Sequence, residues 1–178
     1  AVPLDRLLLG GQNRLGATAF AEAVGDDSWP LTRVVDGPHV DLLLACAERE
    51  LSDEEILRSR YGQMALACIS SGGQFFSATD GPGVVAIARR FVAHTRRGMQ
   101  SAPGDTAVPH QSRPGHPALV VPVRGTDCFQ LIDGHHRVAG LWVLGQREVE
   151  AKVKRLPVAL PRRAPEPVTG SRATSRAS

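Results

Sequence analysis

The sequence predicts a small mixed α/β domain, and three observations carry that expectation. Short β-prone runs occur at residues 31–35, 119–123, 129–132 and 148–153, each bounded by turn-forming residues. Between the first and second of these lies a helix-rich segment, about residues 50–98, that inserts into the strand framework. At 178 residues the chain has the length of one domain with a real core. We assign residues 1–156 to that domain, and read residues 157–178 as a disordered basic tail of Pro, Arg and Ser.

The elements follow in order. Residues 1–33 form a mixed entry segment broken by Gly10-Gly11, Gly16 and Trp29-Pro30. A strand at Leu31–Val35 leads through Gly37-Pro38 into a helix to Arg49, whose Leu42, Leu43 and Ala45 to Ala47 suit a buried face. Ser52 with Glu55 three residues on is a capping box, and the helix it starts should run to about Ser70, where Gly72-Gly73 ends it. The carboxylates Asp53, Glu54 and Glu55 suit the positive end of that helix better than a metal. After Phe75-Phe76 and Asp80-Gly81-Pro82-Gly83, a helix over Val84–Thr95 carries Arg89, Arg90, Arg96 and Arg97 near its end. Residues 98–115, with Pro103, Pro109 and Pro114, read as a long loop of the kind that forms a lid. His110 and His116, in or beside it, read as surface residues.

The segment richest in chemistry is Asp133-Gly134-His135-His136-Arg137. It lies between the strand ending at Ile132 and a helix marked by Val138, Leu141, Trp142 and Leu144, with Gly145 as its stop. At such a turn the leading amides of the helix have no internal partners, and the macrodipole adds about half a positive charge. An anion is the natural ligand. Gly134 lets the backbone approach it, while His135, His136 and Arg137 supply donors. Asp133 can hold a metal or orient a hydroxyl. The plain alternative is an Asp133 helix cap followed by surface histidines.

The stretch from Phe129 to Val153, FQLIDGHHRVAGLWVLGQREVEAKV, resembles the core of the ParB/sulfiredoxin superfamily, most closely its free serine kinase branch. A weaker match is Val34 to Asp41, which resembles the Pro-His segment near the start of those kinases, whereas residues 48–111 have no counterpart. His135 stands where sulfiredoxins carry their nucleophilic Cys, and Arg137 is one strong cation where DNA-partitioning relatives carry two. The resemblance implies a sheet of the ParB/sulfiredoxin type. It also implies transfer of a phosphoryl group from ATP or ADP, with Mg²⁺, to a hydroxyl of a small metabolite. Gly134, His135, His136, Arg137 and His39 would hold the nucleotide, and Asp133 and His136 would act at the reacting groups, with Asp133 touching the metal. In the kinases a Glu directly after Pro-His serves as base; this chain has Val40 there, so Asp36 and Asp41 are the substitutes nearest in sequence. Both also suit a helix start, Asp36 as cap and Asp41 in the first turn. A ParB-like nucleotide- or DNA-binding regulator and a non-catalytic relative stay open beside the kinase.

Charge bears on the DNA alternative. The net +3 comes from residues 155–178, where Arg155, Arg162, Arg163, Arg172 and Arg176 face only Glu166, and the remaining chain holds 16 basic and 17 acidic side chains. Non-specific DNA affinity comes from basic groups, so a near-neutral body disfavours that role and leaves only a tail contact. Cys46, Cys68 and Cys128 lie far apart without metal-ligand spacing, which suits reduced thiols in a cytoplasm. No run of residues is apolar enough to span a membrane.

Overall fold

The computed structural model describes residues 1–12, 15–100, 117–155 and 157–159. Its strands are β1 (Val2–Pro3), β2 (Leu7–Leu9), β3 (Ala118–Pro122), β4 (Phe129–Asp133), β5 (Glu148–Val149) and β6 (Ala151–Val153). Its helices are α1 (Ala17–Val24), α2 (Pro38–Glu48), α3 (Asp53–Arg58), α4 (Arg60–Gly72), α5 (Gly81–Gln100) and α6 (His135–Val143). The fold is mixed α/β, as the sequence predicts. The main sheet has the order β2-β4-β3-β6, and β1 pairs with β5 beside it. Strand β4 runs parallel to β2 and antiparallel to β3, while β6 runs parallel to β3.

Four of the expected elements differ from expectation. Residues 31–35 form no strand: the chain turns twice as 3₁₀ helix, at Trp29–Leu31 and Val34–Asp36, and its ladder pairing with the sheet is a single bridge of Arg33 to Leu8. The sheet position goes instead to Leu7–Leu9 from the entry segment, all three residues buried. Strand pairing, not intrinsic preference, makes this leucine run extended.

The helix begun at Ser52 stops at Arg58 and restarts at Arg60. Ser59, in an extended conformation, accepts from the Gly62 amide at 3.1 Å and so caps a second helix. Gly62 makes the corner possible, since a methyl group there would collide with the carbonyl oxygen of Ile56. The Ser52/Glu55 capping box itself is present. The run 148–153 splits between the two sheets at Glu150. Helix α5 begins earlier and ends later than Val84–Thr95, taking in residues 98–100; the rest of the expected lid, with His110, and the adjoining His116 lie outside the described residues, as does most of the tail.

One hydrophobic core runs through sheet and helices, with Leu7, Leu9 and Leu131 from the sheet, Phe20 from α1, Tyr61 and Met64 from α4, and Val138 from α6. The expected insertion, α3 to α5, therefore shares the core of the strand framework. Helix α2 packs against both α6 and α4, which brings His39 beneath the turn at the end of β4. Among the described residues no helix is long and apolar enough to cross a membrane.

Candidate functional site

The parallel strands β2 and β4 end side by side, and a cavity of about 390 Å³ opens at their carboxyl ends. That is where ligands of open α/β sheets usually sit. From β2 come Gly11 and Gln12; from β4 and its turn come Ile132, Asp133 and Gly134. Two local features shape these walls. The residue after β2, Gly10, has no room for a side chain because a methyl group would strike the Leu131 carbonyl oxygen, so the strand leaves the sheet pressed against β4. On β4, Leu119 pairs with Asp133 while Val120 pairs with Leu131, a bulge that leaves Ile132 unopposed. It re-aims the strand end, and Ile132 and Asp133 both line the cavity although strand neighbours normally face opposite ways.

Gly134 is the N-cap of α6, with φ 102° and ψ 21°, a left-handed conformation that favours glycine. It offers no side chain to the helix end, and the first intrahelical bond is from the Val138 amide to the Gly134 carbonyl at 2.9 Å. Asp133 is thus one residue too early to be the cap, and its exposed carboxylate lies on the cavity wall instead.

His39 and His135 are not surface residues. His39 is 1 % exposed and His135 8 %, their rings stacked at 5.6 Å, and both line the cavity. Neither His39 Nδ1 nor His135 Nε2 has a hydrogen-bond partner among the described residues, and such buried nitrogens are costly unless something satisfies them. Burial, reinforced by the neighbouring imidazoles of His136 and His135, pushes His39 well below the ordinary histidine range. Burial pushes His135 down to about 4, against a smaller opposing pull from Asp133. Both rings are neutral at neutral pH and can each donate one N–H. A bound anion would favour protonation.

His136 shares a 2.8 Å hydrogen bond with the hydroxyl of Tyr61, a buried phenol whose ionisation burial suppresses. Its ring lies edge-on to Phe91 at 4.3 Å and tilted against Phe76 at 5.0 Å. Arg137 completes the turn at the cavity wall. Gln74, Phe75 and Phe76, from the loop after α4, complete the lining.

The structure brings Asp133, Gly134, His135, His136, Arg137 and His39 together and leaves Asp36 and Asp41 apart. Neither of those two aspartates lines the cavity. Asp41 pairs with Arg60 at 2.8 Å on the outer side of α2, and the same arginine reaches the Asp36 carbonyl. The physical reason is helical phase: Asp41 is two residues from the inward His39, about 200° around α2. Nor is Asp36 the cap of α2; Gly37 is. Val40 is 2 % exposed in the core, so a base at that position would be buried among apolar side chains.

Sequence reasoning missed Gly11, Gln12, Tyr61 and Gln74 to Phe76. The only signals were the Gly10-Gly11 pair directly after three leucines and the Phe-Phe pair shortly after the Gly72-Gly73 helix stop. Among the described residues no group of three or more His, Cys, Asp or Glu side chains is arranged to hold a metal ion. The site is thus a cavity in a mixed α/β fold that gathers an uncapped helix start, two buried imidazoles, Arg137 and a single carboxylate, that of Asp133. The chain matches no family model, no curated protein and no solved structure.

Proposed function

We propose that the protein is a nucleotide-dependent phosphotransferase that binds the phosphate chain of ATP or ADP at the start of α6 and transfers a phosphoryl group to a hydroxyl of a small metabolite. The observation that carries this reading is that His39 and His135, each with a buried imidazole nitrogen that has no partner among the described residues, line the same cavity as the uncapped end of α6. The resemblance of residues 129–153 to the free serine kinases points the same way.

In this reading the leading amides of α6, Arg137 and the neutral imidazoles hold phosphate oxygens, and charge neutralisation and positioning do most of the work. The acceptor oxygen forms a bond to the terminal phosphorus as the bridging P–O bond breaks and leaves with the shortened nucleotide. Asp133, rather than Asp36 or Asp41, takes the acceptor proton or orients the hydroxyl, since its carboxylate lies on the cavity wall. Mg²⁺ fits as an ion carried by the nucleotide with Asp133 as its one protein carboxylate, and it would neutralise charge on the phosphates. A DNA role is disfavoured because Arg6, Arg49, Arg58, Arg60 and Arg89 are each paired with a carboxylate.

The test is incubation with Mg²⁺ and terminally labelled ATP or ADP over a panel of hydroxyl metabolites. Label should appear on a metabolite, fall by about a hundredfold or more in Asp133→Asn and be lost in Arg137→Ala. Nucleotide binding without transfer to any acceptor would replace the kinase by a regulator or a non-catalytic relative. No binding of either nucleotide would remove the phosphate reading.

A further inference from the structure

A second cavity, also about 390 Å³, lies beside the first, and Phe76 and His136 belong to the walls of both. We infer that this second cavity is the subsite for a flat aromatic ring, the base of the nucleotide, with Phe76 as the stacking platform; the inference rests on the phosphate reading of α6. One ligand can run from the α6 amides past His136 into this space.

The lining suits a ring more than a polar metabolite. Ile87 and Phe91, both buried, form its floor together with the His136 ring. Ser77 and Arg90 supply polar groups that can meet the acceptor atoms of a heterocycle. This wall comes from α5 and the loop before it, within residues 48–111.

Phe76 itself is the unusual residue. Phe75 and Ala78 exchange hydrogen bonds of 2.8 and 2.9 Å, closing a tight turn with Phe76 and Ser77 at its tip. This places Phe76 at φ 51°, the left-handed region where glycine or asparagine is expected and a bulky side chain is strained. The residue nevertheless remains 61 % exposed. Phe75, edge-on at 4.9 Å, and His136 at 5.0 Å fix its orientation. A strained backbone that displays an aromatic ring at a cavity rim contributes little to the core, and stacking on a planar ligand explains it. Every nucleobase has such a face.

The test compares Mg-ATP with Mg-tripolyphosphate, which has the phosphates without the base, by calorimetry on the full chain. Phe76→Ala should weaken ATP about tenfold, within the range for losing one base stack, and leave tripolyphosphate unchanged. Phe76→Trp should keep ATP affinity, and its added fluorescence, measured against the wild type, should be quenched by ATP and not by tripolyphosphate. If wild-type protein binds tripolyphosphate but Phe76→Ala leaves ATP affinity unchanged, or weakens both ligands alike, the base subsite is wrong and the phosphate reading stands. If tripolyphosphate does not bind the wild type, both fall.

Discussion

Acidification should destabilise this protein in a window set by a buried histidine. His135 has an ordinary value of 6.5 and is pushed down to about 4 in the fold by burial. Between those values the unfolded chain binds a proton that the folded chain refuses, so stability rises with pH there and is lost as pH falls. A shift of this size corresponds to about 3 kcal/mol in all, at about 1.4 kcal/mol per unit, with about 2 kcal/mol already gone near pH 5. His39, shifted in the same direction by the same cause, adds to the loss. Glu55, held at about 2 mainly by its bond to Arg49 against an ordinary value of 4.5, enters only at the acid edge of this window, where the unfolded chain begins to bind its proton. The assay is urea unfolding at constant ionic strength from pH 7.5 to pH 4.5, on the wild type and on His135→Asn, which cannot titrate. The wild-type midpoint should fall steeply below about pH 6.5, and the variant should fall less. Saturating phosphate should flatten the wild-type curve, because an anion against the imidazole favours its protonated form. A wild-type stability that is unchanged between pH 7 and pH 5 would refute the reasoning, since it would mean that His135 is not buried in a dry site.

Three other outcomes follow from particular contacts. Gly134→Ala should cost about 1–2 kcal/mol in thermal melts, because φ 102° strains any side chain even though the nearest atom, Ala118 Cβ at 3.5 Å, leaves room. Tyr61→Phe should cost about 1 kcal/mol by losing the 2.8 Å bond to His136, and should lower the rate of transfer more than nucleotide affinity. Phe76→Gly should be more stable than Phe76→Ala by about 1 kcal/mol in denaturant titrations, since only glycine accepts φ 51° freely.

The parts of the fold written in local chemistry were legible. Ser52 and Glu55 mark a helix start by side chains that bond their own backbone, and the cap forms as read. The Asp-Gly-His-His-Arg turn was legible for a similar reason: a strand ending, a glycine and a helix phase lie within a few residues. What failed depended on partners distant in the chain. Leu7 to Leu9 carry no strand preference and become a strand only against Phe129 to Leu131. Val34 and Val35 prefer extended backbone, yet the 3₁₀ turn at Trp29–Leu31 and the Gly37-Pro38 entry into α2 leave them no length to pair. Ser59 looks like a mid-helix residue until Gly62 packs against Ile56 and Leu57. Proximity in sequence also misled: Asp41 stands next to the right helix face but is turned away from it, while Phe76, from a segment with no counterpart in the resemblance, reaches the cavity rim.

The parallel pairing of β2 with β4 has a consequence for how the molecule is made. These strands lie far apart in the sequence, so during synthesis Leu7-Leu8-Leu9 emerges long before its partner, Phe129 to Leu131, exists. Contacts of such separation form late and slowly. Until then an apolar strand with open hydrogen-bonding edges is a point at which chains can stick to one another. The same delay means that the cavity, walled by the ends of both strands, is absent from any partly folded form. A ligand of this cavity would therefore select the finished molecule alone, and protection by that ligand would report completed folding.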